Sequence, residues 1–220
     1  MENESENLLI ETIEHFHKQI NDLFVVKNFI EEQILITEQQ DIVDDFKTAI
    51  DLIKYNCFLI ASYIDLLTSF KGIINFETKW DIVFNSKNGF LSIYETIKTY
   101  NSHQRKIKKL INEYHPNLLE GYNELNKNLK SFKKKYSYET KISLFRNKAG
   151  GHYHENYDEY YEQIQSLETE MSKKAIADFA NLILTIMNFV SIIIDELEAK
   201  TRRKAEKSKS KWELLNKRNK

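Results

Sequence analysis

An all-α helical bundle of long antiparallel helices is the fold class this sequence predicts, and three observations predict it. The 220 residues hold one proline and five glycines, too few for the many tight turns of a β-sandwich or barrel. Charged residues make up 30% and hydrophobic residues 41% of the chain, a mixture that suits amphipathic helices. Apolar residues recur at three- and four-residue intervals over most of the length, which is the helical period.

The elements follow in order. Leu9, Ile13, Phe16, Ile20, Leu23, Ile30 and Ile34 predict a first helix over about 5–37. Ile42, Phe46, Ile50, Ile53, Cys57, Ile60, Ile64 and Leu67 predict a second, which Gly72 is expected to end. Residues 73–90 lose the period and read as a connection. Helical pattern resumes around Leu91, Tyr94 and Ile97 and continues through Ile107, Ile111 and Tyr114. Pro116 interrupts it and is read as opening another helix, since proline is tolerated at a first turn. That helix carries Leu118, Tyr122, Leu125, Leu129 and Phe132. A shorter one is expected from Tyr138 to about Lys148, broken by Gly150 and Gly151. The last helix, marked by Ile176, Phe179, Ile183, Met187, Val190, Ile194 and Leu197, is apolar over enough of its girth to be expected centrally or at a dimer interface. No internal repeat is present. The expected organisation is a single domain over 1–200 followed by a basic tail, 201–220, that is either flexible or a helix extension. Trp212, Leu214 and Leu215 in that tail either continue the last helix or dock on a partner.

Cysteine and hydropathy narrow the functional classes. The single Cys57 excludes an intramolecular disulfide or a zinc cluster built on cysteines, and reads as core filler. The N-terminus is acidic where a secretory signal needs a basic region, so a cytoplasmic location is expected. The most apolar run, Phe179 to Ile194, spans 16 residues, short of the roughly 20 that cross a bilayer. It also carries a polar stripe of Asn181, Thr185, Asn188 and Asp195, so no membrane association is expected.

The formal net charge of −1 conceals segregation. Residues 1–50 carry 12 acidic against 3 basic side chains, whereas 98–148 carry 4 against 13 and 200–220 carry 2 against 10. Two basic regions are therefore available for a polyanion. The candidate RNA contacts are Arg105, Lys106, Lys108, Lys109, Lys130, Lys133, Lys134 and Lys135. Phe132, Tyr136, Tyr138 and Phe145 interleave this region at a spacing that fits base stacking or a core equally well. His103 and His115 lie there too and read as surface residues able to reach RNA.

The stretch Arg146-Asn147-Lys148-Ala149-Gly150-Gly151-His152 carries the chemistry. A permanent cation, a hydrogen-bonding amide and a group titrating near neutrality suit the handling of a phosphodiester. The glycine pair lets the backbone turn, so that His152 can fold back towards Arg146. The candidate catalytic residues are Arg146, Asn147 and His152, with His154, Tyr153 and Lys148 as accessory candidates. Competing readings are weighed at the same residues. Arg146 could pair with an acidic neighbour such as Glu139 or Glu155 and merely cap a helix. A metal site from His152, His154, Glu155 and Asp158 lacks dependable ligand spacing. His15 and His17, two apart on a helix, point to different sides. No phosphate loop, Gly-x-Ser-x-Gly or His-Glu-x-x-His occurs.

At these residues the chain resembles the HEPN superfamily (higher eukaryotes and prokaryotes nucleotide-binding), all-helical domains in which many members carry Arg, four to six residues, then His. The matching positions are Arg146, the polar Asn147 directly after it, and His152, in a helical setting covering about 45–198. The N-terminal helix and basic tail are additions to that core. The Gly-Gly pair before His152 is a departure, since many members have bulkier residues there. The resemblance implies a metal-independent endoribonuclease without cofactor, of the kind found in toxin–antitoxin, phage-defence and RNA-processing systems. It further implies a homodimer that brings two motifs into one cleft, with RNA as substrate and an antitoxin or other regulatory protein as partner. From a different class comes the alternative of a non-catalytic helical module that binds RNA or protein.

Overall fold

The computed structural model describes residues 2–146, 157–165 and 167–218, and among them every regular element is helical. Helix α1 spans Glu2–Ile36, α2 Gln40–Ile74, α3 Lys79–Tyr114 and α4 Leu119–Lys135, with a 3₁₀ turn at Pro116–Leu118 between the last two. A four-residue α5 (Ile142–Phe145), a short α6 (Tyr157–Gln165) and a 50-residue α7 (Thr169–Arg218) complete the described chain.

Four helices form an up-down-up-down bundle. Their directions follow from cross-helix pairs: Asn56 to Ser191 and Lys200 to Asp45 run α2 against α7. Tyr122 against Phe189 and Phe132 against Phe179 run α4 against α7. Hydrogen bonds from Tyr100 to Asn126 and from Tyr122 to the Gln104 carbonyl join α3 to α4 antiparallel. The core between them is apolar and closed, with Leu52, Ile53, Leu59, Phe90, Ile93, Ile97, Phe179, Ile183 and Val190 at 0–1% exposure. Helix α1 lies outside, antiparallel to α2, through Phe16 on Tyr63 and Glu6 paired with Lys71.

The polar stripe foreseen on the last helix faces outward, with Asn181, Thr185, Asn188 and Asp195 all exposed. Helix α2 and the Thr169–Thr201 part of α7 are each long and apolar enough to cross a membrane by length and composition. In the bundle their apolar sides pack against each other. Helix α7 does not stop near 200: its backbone continues through the basic tail to Arg218.

Three expectations are corrected. Residues 79–90 are helix rather than connection. Thr78 opens it with a capping box, its hydroxyl accepting from the Asp81 N–H while the Asp81 carboxylate accepts from the Thr78 N–H at 2.7 Å. The first turns read as irregular because their pattern is inverted: Trp80 and Phe84 point to solvent while Ser86 and Gly89 are buried. Gly72 lies inside α2, where an added Cβ would collide with the Asn85 side chain, so it permits a close crossing instead of ending the helix. The short helix expected from Tyr138 to about Lys148 starts only at Ile142, as α5, and its expected end lies outside the described residues. Its start is delayed because α4 ends in a Schellman turn: Tyr138 N–H donates to the Lys133 carbonyl and Ser137 N–H to that of Lys134.

Candidate nucleic-acid site around Arg146

Ile142 and Phe145 anchor α5. Ile142 is fully buried, and the Phe145 ring meets Phe90 of α3 edge-on at 5.7 Å. The next residue, Arg146, therefore leaves the core beside α3. Its Nη2 donates to Glu95 Oε1 at 3.1 Å, and its guanidinium carbon stands 5.1 Å from the centre of the Tyr94 ring. The side chain stays 37% exposed, which leaves the group anchored but open to solvent.

The pairing continues as a stack. Tyr94 lies nearly parallel to Tyr138 at 6.1 Å, and Lys133 Nζ stands 5.1 Å from the Tyr138 ring centre. Two cations thus bracket two tyrosines, in the order Lys133, Tyr138, Tyr94, Arg146. Both outer contacts are cation–π in geometry. The Schellman turn at Ser137, whose φ is +49°, aims Tyr138 into this stack. Burial, then the neighbouring Tyr94, Glu139 and Glu95, push the Tyr138 phenol upward, so the ring stays neutral. The result ties the basic end of α4 to the arginine.

Arg146 does pair with an acid among the described residues, Glu95 on α3, which sequence proximity did not offer. Glu155 lies outside the described residues. So do Asn147, Lys148, His152, Tyr153 and His154, and with them the convergence of Arg146 and His152. Among the described residues no group of three or more His, Cys, Asp or Glu is placed to hold a metal ion.

The eight basic candidates divide. Lys106 is held by Asp51 at 2.9 Å, and Lys135 by Asp178 at 2.7 Å, while Lys133 caps the Tyr138 ring. Hydrogen bonds from Lys135 and Tyr136 outweigh the burial that opposes ionisation of Asp178 and hold its carboxyl below the usual range. Arg105, Lys108, Lys109, Lys130 and Lys134 are exposed and have no ion pair among the described residues. The aromatic residues interleaved with them are core: Phe132, Tyr136, Tyr138 and Phe145 are all buried. Their spacing fitted stacking on a base or on the core, and the core took them.

Sequence reasoning missed Glu95 and Tyr94. Glu95 sits 51 residues from its partner, on a helix already rich in charge, and nothing local marks it. It missed a cleft between α2 and α3 as well, lined by Asp51, Lys54, Tyr55, Phe58, His103 and Lys106. There His103 is not simple surface decoration: its ring stacks on Tyr55 at 4.2 Å, and its Nδ1 lies 3.0 Å from the Thr99 carbonyl.

No family model, curated protein or solved structure matches this chain.

Proposed function

We propose that this protein is a metal-independent endoribonuclease of the HEPN type, acting in phage defence or toxin–antitoxin biology, with Arg146, Asn147 and His152 as its reacting set. The observation that supports this reading most is the fixed, half-open position of the Arg146 guanidinium at the head of the Arg-Asn-x4-His segment, held by Glu95 and Tyr94. A guanidinium fixed in place meets charge developing on phosphate oxygens without reorganising first. Arg146 would stabilise the phosphate through the transition state. His152, whose imidazole can both accept and donate a proton, would take the proton from the 2′-hydroxyl or give one to the leaving 5′-oxygen. The P–O bond to the 5′-oxygen breaks as the 2′-oxygen bonds to phosphorus, leaving a 2′,3′-cyclic phosphate and a 5′-hydroxyl. In a twofold dimer the two histidines can divide the two proton transfers between them.

The second reading, a binding module without catalysis, is favoured by one observation: the Arg146 charge is partly answered by Glu95, as in a structural ion pair. Cleavage of a labelled structured RNA separates the two. His152→Ala should slow cleavage by about 100-fold or more. Arg146→Ala should cost about 100- to 1,000-fold. His154→Ala should be milder, and activity should survive EDTA, with helicity checked by circular dichroism throughout. Equal cleavage by wild type and a folded His152→Ala protein would leave only the binding module.

A further inference from the structure

Helix α1 carries a second apolar face that the bundle does not use. Its core side, with Leu9, Ile13, Phe16, Ile20 and Leu23, packs on α2 and the core beneath. Its outer side exposes Phe24, Val25, Phe29, Leu35 and Ile36, with Phe29 at 60% and Leu35 at 85%. With Val26 beside them, six large apolar side chains exposed within 13 residues of one helix exceed the scatter expected of a solvated surface. Asp22, Glu32 and Glu38 are exposed along the same stretch, so the occupant that fits is apolar along one side and basic around it.

The far end of α7 has that chemistry. The buried seam of α7 runs through Val190, Ile193, Leu197 and Thr201. In sequence the same three- and four-residue spacing continues through Ala205, Ser208, Trp212 and Leu215, among Lys207, Lys209, Lys211, Lys217 and Arg218. The helix that carries them outruns its neighbour. Lys204 already pairs with Asp41 and Asp45, at the first turn of α2, while α7 continues to Arg218. At 1.5 Å per residue the projecting 14 residues extend about 21 Å. The exposed stretch Phe24–Ile36 is close to 20 Å long by the same rule.

Direction decides which molecule meets which. Helices α1 and α7 are each antiparallel to α2 and so parallel to each other, with their C-termini at the same end. The projecting tail therefore leads away from its own α1. A second copy placed end to end about a twofold axis presents its α1 antiparallel to that tail, and the reverse contact forms at once. We propose that the chain self-associates by this reciprocal exchange, residues 205–218 of each copy lying along the Phe24–Ile36 face of the other. Charge complementarity steers the encounter and apolar burial holds it. The contact forms at the Asp45–Lys204 end. It lies about 27 Å along α3 from Glu95, counting 18 residues to Glu113, and so is separate from any pairing of the Arg146 segments.

Light scattering and sedimentation of the full chain test it. Wild type should associate through this contact at about 20 µM, as a dimer or, where the Arg146 segments pair as well, as a larger assembly, with a dissociation constant that rises with salt. Phe29→Asp, and separately Trp212→Asp combined with Leu215→Asp, should each raise that constant at least about tenfold, since each removes apolar anchors from both contacts. Circular dichroism should find both variants folded, because Phe29 is exposed and the tail projects from the bundle. Mixing the two variants restores one intact contact of the two, so a heterodimer should reappear. A monomeric wild type overturns the proposal, as does an assembly whose size and dissociation constant neither variant changes. Co-flotation of a monomeric wild type with phosphatidylcholine vesicles, lost in Phe29→Asp, would assign the face to lipid and overturn it too.

Discussion

Among the described residues Ser137 alone, glycines aside, holds a left-handed backbone, and that strain serves the candidate site. Its φ of +49° is a left-handed conformation that costs a residue with a Cβ about 1–2 kcal/mol, and glycine is the usual occupant of this Schellman position. Serine holds it because the turn fixes Tyr138 beneath Lys133 and against Tyr94. Ser137→Gly should therefore leave the fold unchanged and raise stability by up to about 1 kcal/mol, less what the extra freedom of glycine in the unfolded chain takes back. A urea midpoint at unchanged slope reads this; a destabilised Ser137→Gly would contradict the strained-turn account. Glu95 acts on the same stack by holding Arg146. Glu95→Ala should lower kcat by up to about 100-fold, the scale of a displaced catalytic group, with KM little changed. Glu95→Asp should recover part of the loss. In an Arg146→Ala background, Glu95→Ala should cost nothing further, an outcome that a purely structural carboxylate would not give. Of this constellation the sequence made Arg146 legible, through its neighbours Asn147 and His152. Glu95 and Tyr94 were not legible, because a partner 51 residues away leaves no local signal.

At the scale of elements, periodicity was a good guide wherever the core side of a helix was apolar, and it failed where that side was small or polar. Helices α1, α2, α4 and the apolar part of α7 sit near the positions their spacing predicts. The start of α3 does not, since Ser86 and Gly89 turn inward there while Trp80 and Phe84 turn out. Gly89 is small for a reason: a Cβ there would collide with Ile176 of α7, which is itself fully buried. Filling the position overpacks the α3–α7 contact, so Gly89→Val should destabilise by about 1–3 kcal/mol. Shortening the opposing side chain makes room, and Ile176→Val in the Gly89→Val background should recover part of that loss, although alone it removes a buried methylene and destabilises. The measurement is a double-mutant cycle by thermal or urea unfolding. Simple additivity would show that the two side chains do not meet. The tail was half legible: its spacing allowed a continuing helix, and the backbone of α7 follows that course to Arg218.

For the whole molecule, near-neutral net charge conceals how little of the basic surface is available to a polyanion. Asp51 and Asp178 already occupy Lys106 and Lys135, and at the start of α2 Asp41 and Asp45 occupy Lys204. Cations neutralised in the folded protein release fewer counterions from RNA, so only the exposed and unpaired ones should set the salt dependence of binding. Among the eight candidates on α3 and α4 those are Arg105, Lys108, Lys109, Lys130 and Lys134. If RNA lies along α3 and α4, replacing Lys130 or Lys134 by Ala should reduce the slope of log K against log salt by about 0.7–1 each, and weaken binding of unrelated sequences alike. Lys135→Ala should leave that slope nearly unchanged and instead return Asp178 towards the ordinary carboxylate range, because it removes a hydrogen bond that favours the ionised form. Filter binding from about 50 to 200 mM salt distinguishes the two groups. Equal slope changes for Lys134 and Lys135 would mean that the ion pair with Asp178 opens when RNA binds. A slope unmoved by any of these lysines would place the RNA path elsewhere on the bundle, with the basic residues of α7 as the next surface to vary.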